Sequence, residues 1–211
     1  MRWTDPIGWL GGAFYDFGVE REWLARPTGW VLWGTDISLL YREIRALGDL
    51  PDGAAVLDVP CGGGVVLRGM RPGVRYVAAD LSPAMLGRTR RRAARLGRRI
   101  ETVEADITRL PLTDAEFDVC VCFNGLHCLP DPAAAVGELA RCLKPGGRLV
   151  GDAIVVRAGL RQDVAISLFR RAGLFGAGGT AADLRTWLEE AGLRVDRLEV
   201  SGAVAHFAAT R

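Results

Sequence analysis

From residue 54 onward the chain alternates short apolar runs with stretches of helical period, and this alternation limits the fold more than any other feature. Apolar runs lie at 54–57, 74–79, 100–103, 117–122 and 148–155, and helical stretches at 65–70, 83–97 and after Asp131-Pro132 separate them. Strands separated by helices cannot pair as hairpins. They stack as a parallel sheet with helices on both faces, which is a doubly wound α/β architecture. The run FDVCVCF has no polar alternation after Asp118, which suits a strand buried on both sides. Asp131-Pro132 places a capping side chain before a proline, the favoured order for a helix start, and Pro145-Gly146-Gly147 is expected to stop that helix. Further on, 161–173 and 181–191 read as helices, separated by a hinge with Gly173, Gly176, Gly178 and Gly179. Runs at 193–200 and 203–209, joined by Ser201-Gly202, read as an antiparallel pair at a sheet edge.

The first 50 residues differ. They hold Trp3, Trp9, Trp23, Trp30 and Trp33, and Trp30, Trp33, Ile37, Leu40, Tyr41, Ile44 and Leu47 recur at helical spacing. That spacing predicts one amphipathic helix over 29–47, ended by Gly48 and Pro51, with shorter helical pieces before it broken by Gly11-Gly12 and Pro27. Residues 1–50 are thus expected to form a helical extension or lid, and 51–211 the core of a single domain, since no repeat or low-complexity linker divides them.

The stretch VLDVPCGGG (Val56–Gly64) puts three glycines directly after the first strand. In a doubly wound sheet this is the edge where ligands bind, beyond the carboxyl ends of the strands. A dinucleotide fingerprint requires G-x-G-x-x-G. Gly62 and Gly64 supply the first two glycines, but Leu67 occupies the third position. A phosphate-binding P-loop is excluded because no G-K-[ST] follows. Three acids stand at successive strand ends instead. Asp80 is placed to accept from ribose hydroxyls, and Asp106 to face an exocyclic amine. Asp58 is placed to order turn amides and receive an ammonium group. Carboxylates beside a glycine turn fit a cationic nucleoside without phosphates, and S-adenosylmethionine is such a ligand.

These segments resemble the class I S-adenosylmethionine-dependent methyltransferases, of the small-molecule, type 11-like kind. LDVPCGGG is similar to the family's LDVGCGTG, and VAADLSPAML to its second-strand acidic motif. VEADITRLPL is similar to the adenine-side motif, FDVCVCFNGLHCLPDP to the fourth strand and its loop, and LARCLKPGGRLVG to the helix–turn–strand that follows. The resemblance covers about 54–155 and implies a seven-stranded Rossmann-like sheet of order 3-2-1-4-5-7-6 with the last strand antiparallel. It implies S-adenosylmethionine as cofactor, S-adenosylhomocysteine as product, and cofactor contacts from Tyr15, Asp58, Pro60, Cys61, Gly62, Gly64, Asp80, Leu81, Met85, Asp106, Ile107, Phe123 and Asn124. Tyr15, Trp33, Asn124 and His127 are expected to line the acceptor pocket, with His127 as candidate base. Pro60 departs from the family pattern: with φ fixed and no N–H, it cannot copy a glycine of positive φ.

The function expected is methyl transfer to a small acceptor, apolar or aromatic given the tryptophans of the extension. The alternatives are a non-catalytic cofactor-binding module of the same fold, or a nicotinamide-dependent oxidoreductase. Composition limits partners: net charge is +2, and no apolar run approaches the ~18 residues of a membrane span. The interrupted first 18 residues do not read as a signal peptide, which makes a cytoplasmic monomer or homodimer the expectation. The seven arginines of 88–99 read as a solvated helix face around a buried stripe of Met85, Thr89, Ala93 and Leu96, and not as a nucleic-acid site. The five cysteines have neither disulfide-framework nor zinc spacing, so no metal is expected, and His206, inside the last strand, reads as structural.

Overall fold

In the computed structural model, which describes residues 22–211, the apolar runs become seven strands: β1 (Ala55–Asp58), β2 (Arg75–Asp80), β3 (Glu101–Glu104), β4 (Phe117–Phe123), β5 (Leu143–Ile154), β6 (Arg194–Ser201) and β7 (Val204–Thr210). They form one sheet of order β3-β2-β1-β4-β5-β7-β6. The first five are mutually parallel, and β7 runs antiparallel to both β5 and β6. Among the described residues six α-helices accompany them: α1 (Glu22–Trp33), α2 (Ser38–Ala46), α3 (Pro83–Arg95), α4 (Pro132–Cys142), α5 (Leu160–Arg171) and α6 (Ala181–Glu190). Among the described residues, no helix is long and apolar enough to cross a membrane.

Side-chain alternation divides the core between the two faces. Leu57, Val77, Cys120, Leu149 and Phe207 meet Val136 and Leu139 of α4 and Leu184 and Leu188 of α6. On the opposite face Val56, Tyr76, Val121 and Val150 meet Leu40 and Ile44 of α2 and Leu86 and Ala93 of α3. Local signals act where the sequence places them. Asp131 accepts from the Ala134 amide at 3.0 Å, and Thr180 and Asp183 form a reciprocal capping box at α6.

The expected helix over 29–47 is two helices. Gly34, at φ +68, leaves α1 with its N–H bonded to the Trp30 carbonyl, and Asp36 starts α2 by accepting from the Ser38 amide at 2.9 Å. The apolar period continues across this break, so the spacing alone gives one helix. Trp30 accordingly falls off the buried stripe and is 68% exposed. Pro27 lies inside α1 without ending it. The end of α1 docks on the β6–β7 turn, where the Ala203 amide donates to the Trp33 carbonyl at 2.8 Å.

Pro145-Gly146-Gly147 does not stop α4, which ends at Cys142. These residues form an irregularity within β5, where the register with β4 jumps from Phe117↔Leu143 to Val119↔Arg148. Gly146 donates to the Arg211 carbonyl at 2.9 Å, and Arg211 donates back to Gly147 at 3.0 Å, so the bulge is hydrogen-bonded rather than loose.

The arginine-rich helix also departs from expectation. Leu96 lies beyond α3 and is exposed, whereas Arg92 is buried and donates to the Gly63 carbonyl at 2.8 Å. Arg98 reaches the Met70 carbonyl and Arg90 the Thr102 hydroxyl. These three arginines are ties within the fold rather than a freely solvated face.

After β1 a short 3-10 turn (Val65–Arg68) leads to Gly69, where a Cβ would stand 1.7 Å from the Ile44 carbonyl oxygen of α2. A backbone neighbour cannot swing aside, so Gly69→Ala is expected to destabilise the protein by about 1–3 kcal/mol, read as a lower urea midpoint.

Candidate functional site

The chain winds outward from β1 through β2 to β3, then returns to continue through β4 and β5 on β1's other side. The carboxyl ends of β1 and β4 are therefore the topological switch point, where a crevice opens in this architecture. The glycine turn leaves β1 at this point.

The turn is fixed from several sides. Val59 donates to Val121 of β4 at 3.0 Å, and Cys61 donates to Ala79 of β2 at 2.9 Å. The Val59–Pro60 peptide is cis. Gly62 and Gly64 take φ of +49 and +75, conformations that glycine adopts without steric cost. The Gly62 amide donates to Asp80 Oδ2 at 2.9 Å, while its carbonyl accepts from the Thr89 hydroxyl of α3 at 2.8 Å. A Cβ on Gly64 would approach Thr89 Cγ2 to 2.9 Å. Burial pushes the Cys61 thiol well above its ordinary pKa, so the backbone of Cys61, not a thiolate, is what this position offers.

Asp80 is buried and also accepts from the Ser82 amide, on Oδ1 at 2.8 Å. An ionised carboxylate has about four acceptor sites, and two of them take these amides. Asp106, exposed two residues past β3, uses Oδ1 for both the amide and the hydroxyl of Thr108, at 2.9 and 2.8 Å. Met85 and Ile107 are buried beside these acids in sequence, Leu81 is half exposed, and Phe123 is buried at the end of β4.

Asp58 differs from expectation. It does not order turn amides: its carboxylate lies 1% exposed and receives the Tyr76 hydroxyl from β2. Burial raises its pKa to about 7, the nearby Asp80 charge adds to this, and the Tyr76 bond opposes it. Tyr76 was not foreseen. The available signal is strand alternation, which puts Asp58 and Tyr76 on one sheet face in neighbouring strands.

Beyond β4, Asn124 adopts φ +53, and its amide donates to Asp152 Oδ1 on β5 at 2.7 Å. Next to it, Gly125 lies so close to Pro60 that a Cβ would come within 2.4 Å of the ring. The proline that departs from the family pattern thus packs against the β4 loop. Tyr15 lies outside the described residues.

His127 is buried. Its Nδ1 accepts the Ile154 amide at 3.2 Å, and the Phe175 ring meets it edge-on at a 4.6 Å centroid separation. An Nδ1 acting as acceptor puts the single proton of a neutral imidazole on Nε2, so Nε2 is a donor. Burial lowers the pKa to about 3. In this tautomer Nδ1 is taken by the Ile154 amide and Nε2 carries the proton, so neither ring nitrogen offers a lone pair for the role of base expected of it.

Trp33 lies within an aromatic group. Its ring lies 5.7 Å from Phe169 and 5.9 Å from Phe175, and these two stack at 5.1 Å. Sequence reading missed Phe169 and Phe175; an aromatic residue within the glycine-rich hinge was the available signal. Ile154, Ile166, Ala203 and Val204 back this group. No cluster of three or more metal-ligating side chains occurs among the described residues, and Cys120 and Cys122 are buried in the core.

Residues 57–151 match the methyltransferase-domain family. The demethylmenaquinone methyltransferase of Thermus thermophilus is 40% identical over 134 residues, 64% of this chain and 54% of that protein. The ubiquinone biosynthesis O-methyltransferase of Alkalilimnicola ehrlichii is 38% identical over 144 residues, 65% of this chain and 56% of that protein. Residues 57–151 are thus a methyltransferase domain, set in the fold of the class I S-adenosylmethionine-dependent methyltransferases. An S-adenosylmethionine-dependent methyltransferase from Aquifex aeolicus shares the fold at a TM-score of 0.63 and 22% identity, over 87% of this chain and 93% of that one. The chain spans about half the length of the curated relatives it matches.

The His127 geometry has a pH consequence. On acidification the unfolded chain takes up a proton near 6.5, while the native imidazole resists until about 3, so stability falls as pH drops through this window. His127→Gln removes this contribution. Relative to the variant, the parent is expected to lose up to about 2 kcal/mol between pH 7 and pH 5, measured as the difference in urea unfolding free energy.

Proposed function

We propose that this protein transfers the methyl group of S-adenosylmethionine to a small, uncharged aromatic or apolar acceptor. The observation that carries the reading is the turn at the switch point, where two left-handed glycines and a carboxylate bonded to the Gly62 amide stand together. This arrangement fits the cofactor. Gly62 and Gly64 have no side chains to obstruct a close approach, Asp80 is a strand-end carboxylate suited to accept from ribose hydroxyls, and Asp106 is one suited to an amine. Asp58, Pro60, Cys61, Leu81, Met85, Ile107, Phe123 and Asn124 complete the proposed cofactor contacts.

When bound, the cofactor supplies an electrophilic methyl on a sulfonium and leaves as a neutral thioether. The chain contributes alignment and exclusion of water. Asp80 and Asp106 hold the nucleoside end, the glycine turn receives the methionine end, and Asn124 faces the acceptor. His127, its Nδ1 committed to the Ile154 amide, holds the loop and takes no proton from the acceptor. The reading therefore assigns the acceptor's proton to solvent.

The acceptor class rests on Trp33, Phe169 and Phe175, an aromatic wall against which His127, uncharged at neutral pH, packs. Nothing in that wall compensates a carboxylate or phosphate. The relatives named for demethylmenaquinone and for ubiquinone biosynthesis accord with an aromatic acceptor. The part of the 1–50 extension that is described, residues 22–50, is proposed to flank this side, with α1 delivering Trp33 to it.

Calorimetric titration with S-adenosylmethionine tests the cofactor reading. Saturable 1:1 binding is expected, with Asp80→Ala weakening it about tenfold or more. Absence of binding at high micromolar cofactor would sink the reading, and binding of a nicotinamide dinucleotide instead would establish the oxidoreductase alternative. For the acceptor, transfer of labelled methyl to hydroxylated aromatics but not to carboxylates or phosphate esters is expected. Phe175→Ala should raise KM for such acceptors several-fold while cofactor affinity stays near the parent value.

A further inference from the structure

Asp152 is the only acid in β5 and is 1% exposed. Burying an ionisable side chain without a cation is costly, so its retention in an otherwise apolar stretch of strand needs a physical reason. Its neighbours across the sheet supply one. Phe123, Asp152 and His206 share a rung of β4, β5 and β7, and the hydrogen bond Asp152 makes among the described residues comes from the amide of Asn124, one residue past that rung, at 2.7 Å. His206 Nδ1 stands 3.9 Å from Asp152 Oδ2, beyond hydrogen-bond reach.

The donated amide belongs to a residue at φ +53, where the β4 ladder ends and the chain turns into the 124–128 loop. Continued pairing would have given that N–H a strand partner; the turn takes it away, and a buried amide left unpaired is costly. Asp152 accepts it from the neighbouring strand. The same loop is held at its far side by the Ile154 amide on His127 and by the Gly176 amide on the His127 carbonyl, and Pro60 packs against Gly125. Asp152 is therefore the anchor at the loop's root, while the other contacts hold its tip.

We propose that Asp152 is a positioning residue: its carboxylate fixes the left-handed turn at Asn124 and so aims the loop that lies between the cofactor's methionine end and the acceptor wall. The inference rests on the methyltransferase reading for what the loop faces, but not for the anchor itself. Asp152 touches neither cofactor nor acceptor. It acts through the Asn124 backbone, and an asparagine in its place retains a carbonyl oxygen that can accept the same amide.

The test compares Asp152→Ala with Asp152→Asn. Amide hydrogen exchange in the ligand-free protein reads the anchor, and calorimetry with S-adenosylhomocysteine reads the consequence. In Asp152→Ala the Asn124 amide should exchange at least about tenfold faster while Val121 and Val150 keep parental protection, and the homocysteine product should bind about tenfold more weakly. Asp152→Asn should restore Asn124 protection and bring affinity within about threefold of the parent. If Asp152→Ala fails to fold, Asp152→Ser, which shortens the reach to the amide, takes its place with the same expectation. Parental Asn124 exchange and affinity in the alanine or serine variant would overturn the inference, as would an asparagine variant as impaired as alanine. A parent that binds no S-adenosylhomocysteine would overturn the methyltransferase reading and the aim assigned to the loop; the exchange result would show separately whether the anchor exists.

Discussion

Every residue of β1 is buried, and the chain must leave this strand at the centre of the sheet with all its backbone polar groups satisfied. The site depends on that requirement. Val59 and Cys61 remain bonded to β4 and β2 in turn, Gly62 gives its amide to Asp80 and its carbonyl to Thr89, and Gly63 gives its carbonyl to Arg92. The groups that satisfy the turn thus come from β4, β2 and α3. The second βα unit shapes the site before any ligand is present.

Preorganisation of this kind separates two sets of residues. Asp80, Gly62 and Gly64 are held by backbone bonds in place, which suits a cofactor bound in the same way at every turnover. Trp33, Phe169 and Phe175 come from α1, α5 and the segment after it, and their packing is among themselves and with apolar side chains. The polar half is thus set by hydrogen-bond direction and the apolar half by shape. A fold that keeps the first and changes the second can retain one cofactor while accepting different acceptors.

The architecture and the acids at strand ends were legible because both follow from local rules: burial-length apolar runs, helix caps, and carboxylates at or just past the end of a strand. Strand order came from resemblance, since alternation alone does not say which strands are neighbours. What escaped reading depended on contacts distant in sequence. Arg92 looked like one more solvated arginine because nothing local marks the Gly63 carbonyl it reaches, 29 residues away. The break at Gly34 was hidden because the apolar period resumes in phase after it. His127 was taken for a candidate base because a loop histidine near an active edge is ambiguous until the partner of each ring nitrogen is known. Asp152 carried a visible signal, an acid amid apolar strand residues, that only the geometry of the neighbouring turn explains.

The place of β7 has a consequence for how the sheet is completed. It lies between β5 and β6 and pairs with β5 along seven rungs, from Arg148 to Ile154. During synthesis, the outer edge of β5 has no partner until residues 204–210 have left the ribosome, after β6 and two helices have already emerged. Until then the chain presents a long apolar strand with unpaired amides and carbonyls, the kind of edge on which nascent chains associate. The protein's exposure to aggregation is thus set less by its finished surface than by the interval between making β5 and making its partner.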